Sequence, residues 1–172
     1  MMKIILVGYM GAGKSQIAHL LSQKLNIKAV DLDEVIEKTT QLSVDAIFKS
    51  KGEIYFRKLE RQLFLELIDS NENMVISLGG GTPCYANNHE ILKAENVVSI
   101  YLKASVSTLY HRLSAEKMNR PLLATFEGDE LLEFIAKHLF DRSFYYNHAM
   151  HKVTVDAKSV EEIVSEIEKL LA

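Results

Sequence analysis

Short runs of apolar residues alternate along the chain with longer segments in which apolar residues recur every three or four positions. Short runs rich in β-branched residues are typical of strands buried on both faces, and the longer period is typical of amphipathic helices. The pattern predicts five strands, at residues 4–7, 28–30, 74–78, 97–102 and 152–155. Strands that alternate with helices form a mostly parallel sheet with helices on both faces, so the sequence predicts an α/β fold.

The clearest helices have their own sequence signals. Apolar spacing predicts one helix over residues 14–25 and another over residues 56–68. Near the end of the chain, Ser159 and Glu162 form the capping box that starts a terminal helix. These boundaries place the predicted strands and helices in regular alternation.

Two stretches fit that alternation poorly. Residues 39–53 and 114–128 lie between better-defined elements and contain loop-like polar clusters. We expect them to be short helical inserts or mobile flaps. No repeat, low-complexity tract or linker separates them from the rest, so we expect one domain over residues 1–172.

Composition excludes several classes of protein. With 48% hydrophobic and 25% charged residues, the composition is that of a folded globular protein and not of a disordered one. The sequence contains no apolar stretch of the roughly 20 residues that a membrane-spanning helix needs. Its net charge of −3 supplies no field that attracts nucleic acid. One cysteine, Cys84, cannot form an intramolecular disulfide. We expect a cytoplasmic monomer without nucleic-acid or membrane partners, and we assign no chemistry to its six histidines.

Residues 8–15 carry the strongest motif. They read Gly-Tyr-Met-Gly-Ala-Gly-Lys-Ser, which fits G-x-x-x-x-G-K-[ST] between a predicted strand and a predicted helix. The glycines let backbone N–H groups surround phosphate oxygens, the helix N-terminus adds positive potential, and Lys14 reaches the outer phosphates. Ser15 is placed to hold Mg²⁺ through its hydroxyl. A glycine-rich turn that binds nothing is the alternative, and the complete context disfavours it.

A phosphate loop indicates a nucleotide but not what happens to it. The Asn-Lys-x-Asp and Asp-x-x-Gly segments of GTPase switches are both absent from the sequence. A kinase for a small molecule or a nucleotide is therefore favoured over a GTPase.

Two carboxylates follow the second predicted strand. Asp31 and Asp33 lie at the edge where open α/β sheets bind their ligands. Residues two apart in an extended segment face the same side, so one carboxylate can serve a metal ion while the other approaches an acceptor hydroxyl. The alternative for Asp33 is a cap on the following helix.

Arg57 and Glu60 are three residues apart on the polar flank of the helix over residues 56–68. A solvated ion pair is the ordinary meaning of this spacing. The functional alternative is an arginine reserved for a substrate carboxylate, with Glu60 orienting its planar fork.

Glycines 79–81 end the third predicted strand. Three glycines give up side-chain packing and cost additional conformational entropy, so the backbone must pass close to something. A bound ligand and a neighbouring strand remain equal alternatives.

Two further arginines are candidate anion ligands. Arg120 begins the segment Arg-Pro-Leu-Leu inside residues 114–128, where it is either a solvated loop residue or an arginine that closes onto transferring phosphate. Arg142 follows a helical run and can bind a second anionic group. Neither residue is informative by itself.

Taken together, these segments resemble shikimate kinases, which are small phosphate-loop kinases of the nucleoside monophosphate kinase fold. Five features occur in the family's order: residues 8–15, Asp31-x-Asp33, Phe56-Arg57-x-x-Glu60, glycines 79–81 and Arg120-Pro121-Leu122-Leu123, followed by Arg142 with Tyr145 three residues on. The resemblance covers nearly the whole chain. It implies a three-layer fold with a five-stranded parallel sheet of order 2-3-1-4-5, a substrate-binding insert at about residues 34–61 and a lid insert at about residues 114–128.

The resemblance also implies an activity, the ATP-dependent phosphorylation of the 3-hydroxyl of shikimate with Mg²⁺ as cofactor, in chorismate and aromatic amino-acid biosynthesis. It implies catalytic roles for Asp33, Lys14 and Arg120. Shikimate is expected to contact Asp33, Arg57, Gly79, Gly80, Gly81 and Arg142. ATP is expected to contact Gly11, Ala12, Gly13, Lys14, Ser15, Gln16 and Arg120, and Mg²⁺ to contact Ser15 and Asp31. The family's adenine-stacking arginine aligns with Leu113, so Arg112 is its nearest counterpart.

Two alternatives differ from this reading. A kinase for gluconate or a nucleoside monophosphate would share the fold but would not need Arg57 and Arg142 around a carboxylate. A non-catalytic nucleotide-binding module would be expected to lack Lys14, Asp33 or Arg120, and all three are present.

Overall fold

The computed structural model describes residues 1–120 and 122–172, so Pro121 of the Arg-Pro segment lies outside the described residues. The strands are β1 (Lys3–Val7), β2 (Lys28–Asp31), β3 (Met74–Ser77), β4 (Val97–Lys103) and β5 (His151–Thr154). The α-helices are α1 (Lys14–Leu25), α2 (Leu32–Thr40), α3 (Val44–Asp69), α4 (Asn88–Ile91), α5 (Val106–Glu116), α6 (Asp129–Tyr146) and α7 (Val160–Leu171). Within the described residues, no helix is long and apolar enough to cross a membrane.

All five strands form one parallel sheet in the order β2-β3-β1-β4-β5, which confirms the predicted topology. The register aligns the strand ends, because Ser77 of β3 pairs with Leu6 of β1 on one side and with Asp31 of β2 on the other. The chain leaves these three strands at the same edge. The phosphate loop, the aspartates and the glycine triplet are therefore brought together by strand register alone.

The central strand anchors the core. Ile4, Ile5 and Leu6 of β1 are fully buried, because β3 and β4 flank the strand and helices cover the sheet. On one side α1 packs against α7, whose predicted capping box is present: the Ser159 hydroxyl accepts from the Glu162 N–H, and the Glu162 carboxylate accepts from the Ser159 N–H. Elsewhere α5 packs against α6.

The two irregular stretches have different structures. Residues 39–53 are largely helical, since α2 ends at Thr40, Ser43 caps the next helix and α3 starts at Val44. Gly52 interrupts α3 with φ 82° and ψ 171°, which kinks the helix. Residues 114–128 contain the end of α5, a 3-10 turn at Lys117–Asn119 and the approach to α6.

The kink predicts a stability effect. Gly52→Ala should lower the free energy of unfolding by about 1–3 kcal/mol, because only glycine readily adopts these dihedral angles. A new methyl group would meet nothing within 4 Å, so the loss would come from the backbone alone. Urea unfolding measures it, with the exposed helical variant Lys51→Ala as the control. A Gly52→Ala protein as stable as the wild type would contradict this explanation of the kink.

Candidate active site

The phosphate loop joins β1 to α1 in a backbone conformation that depends on glycine. Gly11 and Gly13 have φ angles of +82° and +93°, in the left-handed region that favours glycine. The Lys14 ammonium donates to the backbone carbonyls of Gly8 (2.7 Å) and Tyr9 (3.0 Å). Burial lowers the pKa of Lys14 to about 8, while the nearby carboxylates of Asp33 and Asp31 oppose that effect. A cation and the N-terminus of α1 thus face the same small space.

That space is part of a cavity of about 480 Å³. Its lining includes the phosphate-loop residues Gly11, Ala12, Gly13, Lys14, Ser15 and Gln16 and extends to Asp31, Asp33, Gly79 and Gly80. Arg112, Arg120 and Lys158 line the same cavity. One cavity therefore contacts every residue predicted to bind nucleotide or metal.

The two aspartates do not lie in one extended segment, and that expectation was wrong. Asp31 ends β2 and caps α2, accepting hydrogen bonds from the backbone N–H groups of Asp33 (3.0 Å) and Glu34 (3.4 Å). Asp33 is already in the first turn of α2, so the capping residue is Asp31 and not Asp33. Both carboxylates still line the cavity, and the Ser15 hydroxyl donates to Asp31 Oδ2 at 3.0 Å.

Asp33 is held in an environment that disfavours its charge. Burial, with the neighbouring carboxylates of Asp31 and Glu60, raises the pKa of Asp33 to about 6. The Lys14 ammonium acts in the opposite direction. A carboxyl group with a pKa this close to neutrality can accept a proton and release it again during a reaction.

Arg57 and Glu60 form a largely buried pair, with the Arg57 side chain 16% exposed, and not a solvated one. Glu60 is 1% exposed, and its Oε1 accepts from Arg57 Nη1 at 2.8 Å. Its other oxygen accepts from the buried Thr82 hydroxyl at 2.8 Å. The Tyr85 ring covers the guanidinium, with its centroid 3.9 Å from Arg57 Cζ. These contacts orient the arginine fork, as a positioned anion ligand requires.

Arg142 approaches the same region from α6. A methyl group built on Gly80 would lie 3.1 Å from Arg142 Nη1. Next to it, the buried Tyr146 donates its hydroxyl to the Gly80 carbonyl at 2.5 Å, and burial raises the pKa of that hydroxyl. The second candidate arginine is therefore fixed beside the glycine triplet.

Each glycine of the triplet faces a different predicted site residue. A methyl group on Gly79 would lie 3.0 Å from Asp33 Oδ1, and one on Gly81 would lie 2.8 Å from Arg57 Nη2. None of glycines 79–81 has a positive φ, so space and not backbone conformation excludes side chains here. The triplet brings a carboxylate and two guanidinium groups, from α2, α3 and α6, around one stretch of backbone.

Two arginines of the cavity lining are already bonded to other groups of the protein. Arg112 donates from Nη1 to the Gly11 carbonyl at 3.0 Å, and the neighbouring Leu113 is fully buried beneath the loop. Arg120 is paired with Glu116, four residues earlier, through Nε (3.0 Å) and Nη2 (2.9 Å). Both partners of this pair line the cavity.

Comparison with known proteins decides between the kinases that share this architecture. A model of the shikimate kinase family matches residues 10–172. A shikimate kinase of Flavobacterium johnsoniae is 59% identical over 172 residues, which is the full length of both chains. The chain belongs to the shikimate kinase family.

Solved structures of shikimate kinases agree with this fold. The enzyme from Bacteroides thetaiotaomicron, known at 1.7 Å resolution, is 34% identical with a TM-score of 0.90, covering 99% of this chain and 98% of that one. The shikimate kinase from Acinetobacter baumannii, solved in complex with shikimate, is 28% identical with a TM-score of 0.87, covering 99% of this chain and 93% of that one. The predicted phosphate-loop kinase fold is confirmed.

Sequence reasoning missed several residues that support this shikimate kinase site. Tyr85 and Thr82 hold the Arg57–Glu60 pair, and Tyr146 bonds to the triplet, although only Tyr145 was noted in the sequence. The spacing of Arg142 and Tyr146, four residues apart and so on one helix face, was a usable signal for Tyr146. Tyr85 and Thr82 come from the turn after the triplet, and only the tertiary structure reveals their contacts.

The raised pKa of Asp33 predicts that the site costs stability. Asp33→Asn should stabilise the folded protein near pH 7.5 by about 1–3 kcal/mol, because folding raises this pKa and the ionised carboxylate is then unfavourable. The folded chain retains the proton up to about pH 6. The gain should therefore shrink as the pH falls from about 6 to 4, and disappear below that range.

Urea unfolding at about pH 4 and pH 7.5 checks this prediction. Asp45→Asn is the control, because Asp45 is exposed and its ion pair with Lys49 along the same helix has little energetic weight. An Asp33→Asn protein less stable than the wild type near pH 7.5 would contradict the account of Asp33.

Proposed function

We propose that this chain transfers the terminal phosphoryl group of ATP to the 3-hydroxyl of shikimate, giving shikimate 3-phosphate for chorismate and aromatic amino-acid biosynthesis. The observation that carries the proposal is the convergence of Arg57 and Arg142 with Asp33 at the glycine triplet. Shikimate is a hydroxylated ring with one carboxylate, so two cations and one hydroxyl-binding carboxylate match its two ends.

On the acceptor side, Arg57 and Arg142 bind the carboxylate of shikimate. Glu60 fixes the Arg57 fork through a bond of 2.8 Å, which leaves its outer edge for the substrate. Asp33 accepts a hydrogen bond from the attacking hydroxyl, aligns it with the phosphate and takes up its proton as the new bond forms. Glycines 79–81 let the ring approach the backbone closely.

On the donor side, the phosphate loop binds the β- and γ-phosphates of ATP. Its N–H groups and the N-terminus of α1 neutralise charge, and Lys14 moves from the loop carbonyls to the phosphate oxygens. Arg112 and Lys158, which also line the cavity, flank the base. Positioning and charge neutralisation supply most of the catalysis in phosphoryl transfer.

The residues beside the loop fit a magnesium ion. Mg²⁺ prefers oxygen ligands and keeps several waters, and the Ser15 hydroxyl and Asp31 carboxylate lie 3.0 Å apart at the loop. Among residues 1–120 and 122–172, no three His, Cys, Asp or Glu side chains form a metal site by themselves, which fits an ion held jointly with phosphate. When bound, the ion would neutralise charge on the phosphate oxygens.

Arg120 is the proposed closing residue. Glu116 holds its guanidinium in an exposed ion pair, a contact of at most about 1 kcal/mol that a polyanionic nucleotide can replace. Residues 114–128 would then act as the lid and exclude water from the reaction, while residues 34–61 form the shikimate-binding insert. We also propose that the chain works as a single domain and a monomer in the cytoplasm.

A coupled assay of ADP release tests the reaction most simply. Purified protein with Mg²⁺ and ATP should turn over with shikimate and show no comparable turnover with gluconate, AMP, CMP or no acceptor. Turnover with another acceptor would contradict the proposed roles of Arg57 and Arg142 as shikimate ligands but would leave the proposed nucleotide site unchanged. ATP binding without turnover on any acceptor would favour a non-catalytic module.

The proposed binding of the shikimate carboxylate by Arg57 and Arg142 predicts that substitutions of either arginine lower the affinity for shikimate selectively. Arg142→Ala should weaken shikimate binding by about 30-fold to several thousand-fold, because truncating one partner of a buried charge pair costs about 2–5 kcal/mol. Arg57→Lys should also weaken it clearly, since a point charge cannot replace a bidentate fork.

Calorimetric titration with shikimate and, separately, with an ATP analogue measures both affinities. Lys137→Ala provides the control, because it removes an exposed cation from the same helix as Arg142. Equal shikimate affinity in the wild type and Arg142→Ala would exclude Arg142 from the acceptor site.

A further inference from the structure

One face of α6 touches three parts of the site. Phe134, His138 and Arg142 follow one another at four-residue intervals, which places them on the same face of the helix. Phe134 stacks on Phe126 of residues 114–128, with ring centroids 4.5 Å apart. His138 contacts Tyr9 of the phosphate loop, and Arg142 lies at the glycine triplet. The helix thus connects the lid, the nucleotide site and the acceptor site.

Tyr9 and His138 are joined by a partly buried hydrogen bond. The Tyr9 hydroxyl lies 2.9 Å from His138 Nδ1, and Tyr9 is only 1% exposed. Burial raises the pKa of Tyr9 to about 12 and, with the charge of Arg142, lowers the pKa of His138 to about 4. Both groups are therefore neutral at physiological pH. Loss of either partner removes this bond between the phosphate loop and α6.

Tyr9 contacts both substrates' sites through different atoms. Its backbone carbonyl accepts a hydrogen bond from Lys14 at 3.0 Å, on the nucleotide side. Its ring centroid lies 5.9 Å from Arg142 Cζ, on the acceptor side. Lys14 must leave this carbonyl when it binds phosphate, so nucleotide binding changes the surroundings of a residue that also holds the Arg142 helix.

We propose that Tyr9 and His138 are positioning residues that hold Arg142 against the phosphate loop and so couple nucleotide binding to shikimate binding. The inference rests on the proposed role of Arg142 as a carboxylate ligand. A fork–carboxylate contact loses its bidentate geometry when the helix shifts by a fraction of an ångström. Coupling between two binding sites is reciprocal, so shikimate should tighten the binding of the nucleotide by the same factor as the nucleotide tightens the binding of shikimate.

Titration of shikimate with and without a non-hydrolysable ATP analogue measures this coupling. In the presence of the analogue, Tyr9→Phe and His138→Phe should each weaken shikimate binding by about three- to tenfold, the value of one net hydrogen bond. The double variant should be no weaker than the single ones, because both substitutions remove the same bond. Affinity for the analogue alone should change less than about twofold, since the phosphate ligands remain.

Two further variants separate positioning from general packing. His138→Asn keeps a polar atom near the Nδ1 position and should restore most of the coupling that His138→Phe removes. Tyr110→Phe, which removes a tyrosine hydroxyl from a different helix, α5, should behave like the wild type. Thermal unfolding of every variant verifies that the protein is still folded. In steady-state assays, Tyr9→Phe and His138→Phe should raise the KM for shikimate more than they lower kcat.

The results distinguish this inference from the proposed function. If Arg142→Ala weakens shikimate binding but Tyr9→Phe and His138→Phe leave both the affinity and the coupling unchanged, the positioning role is overturned and the acceptor site stands. If Arg142→Ala itself has no effect, both the acceptor site and the positioning role are overturned. If the losses of shikimate affinity in the two single variants add up in the double variant, the two residues do not act through one bond, and the positioning role is also overturned.

Discussion

The close approach of bare backbone to charged side chains at the end of β3 is the constraint on which the site depends. Glycines 79–81 face Asp33, Arg142 and Arg57 in turn, at distances that a methyl group would already crowd. The three side chains come from three helices, so no local segment of the chain could assemble them. What they share is one stretch of backbone without side chains, held at the edge of the sheet by strand register.

Holding these charges together has an energetic cost that the surrounding structure offsets. Glu60 is buried beside Arg57 and is stabilised by a second hydrogen bond from Thr82, because an unpaired buried carboxylate would be strongly unfavourable. The shifted pKa values of Asp33 and Lys14 are signs of the same conflict between burial and charge. Sites prepared for charged substrates commonly show such shifts, since the missing counter-charges arrive with the ligands.

Much of this arrangement could be predicted from the sequence, and the reasons for the failures are physical. The strands and the phosphate loop follow from apolar runs and one motif with its context, whereas the strand order was implied by the resemblance to shikimate kinases. The expectation that Asp31 and Asp33 lie in one extended segment was wrong. Asp31 is the last residue of the strand and the N-cap of the helix, which starts at the next residue. The Arg57–Glu60 spacing could not reveal that the pair is largely buried, since an i,i+3 pair has the same sequence pattern on an exposed and on a buried helix face. Tyr9 and His138 are separated by 129 positions, and no local pattern joins them.

The most direct measurement is the shikimate affinity of Gly81→Ala. Gly81 has φ −92° and ψ −15°, which alanine adopts freely, so the only intended change is a methyl group 2.8 Å from Arg57 Nη2. The methyl group must displace a guanidinium that Glu60 and Tyr85 hold in place, so stability should fall by about 1–3 kcal/mol. In the folded variant, shikimate affinity should fall at least about tenfold with ATP-analogue affinity retained. Wild-type shikimate affinity in Gly81→Ala would contradict the claim that the triplet sets the position of Arg57 for its substrate.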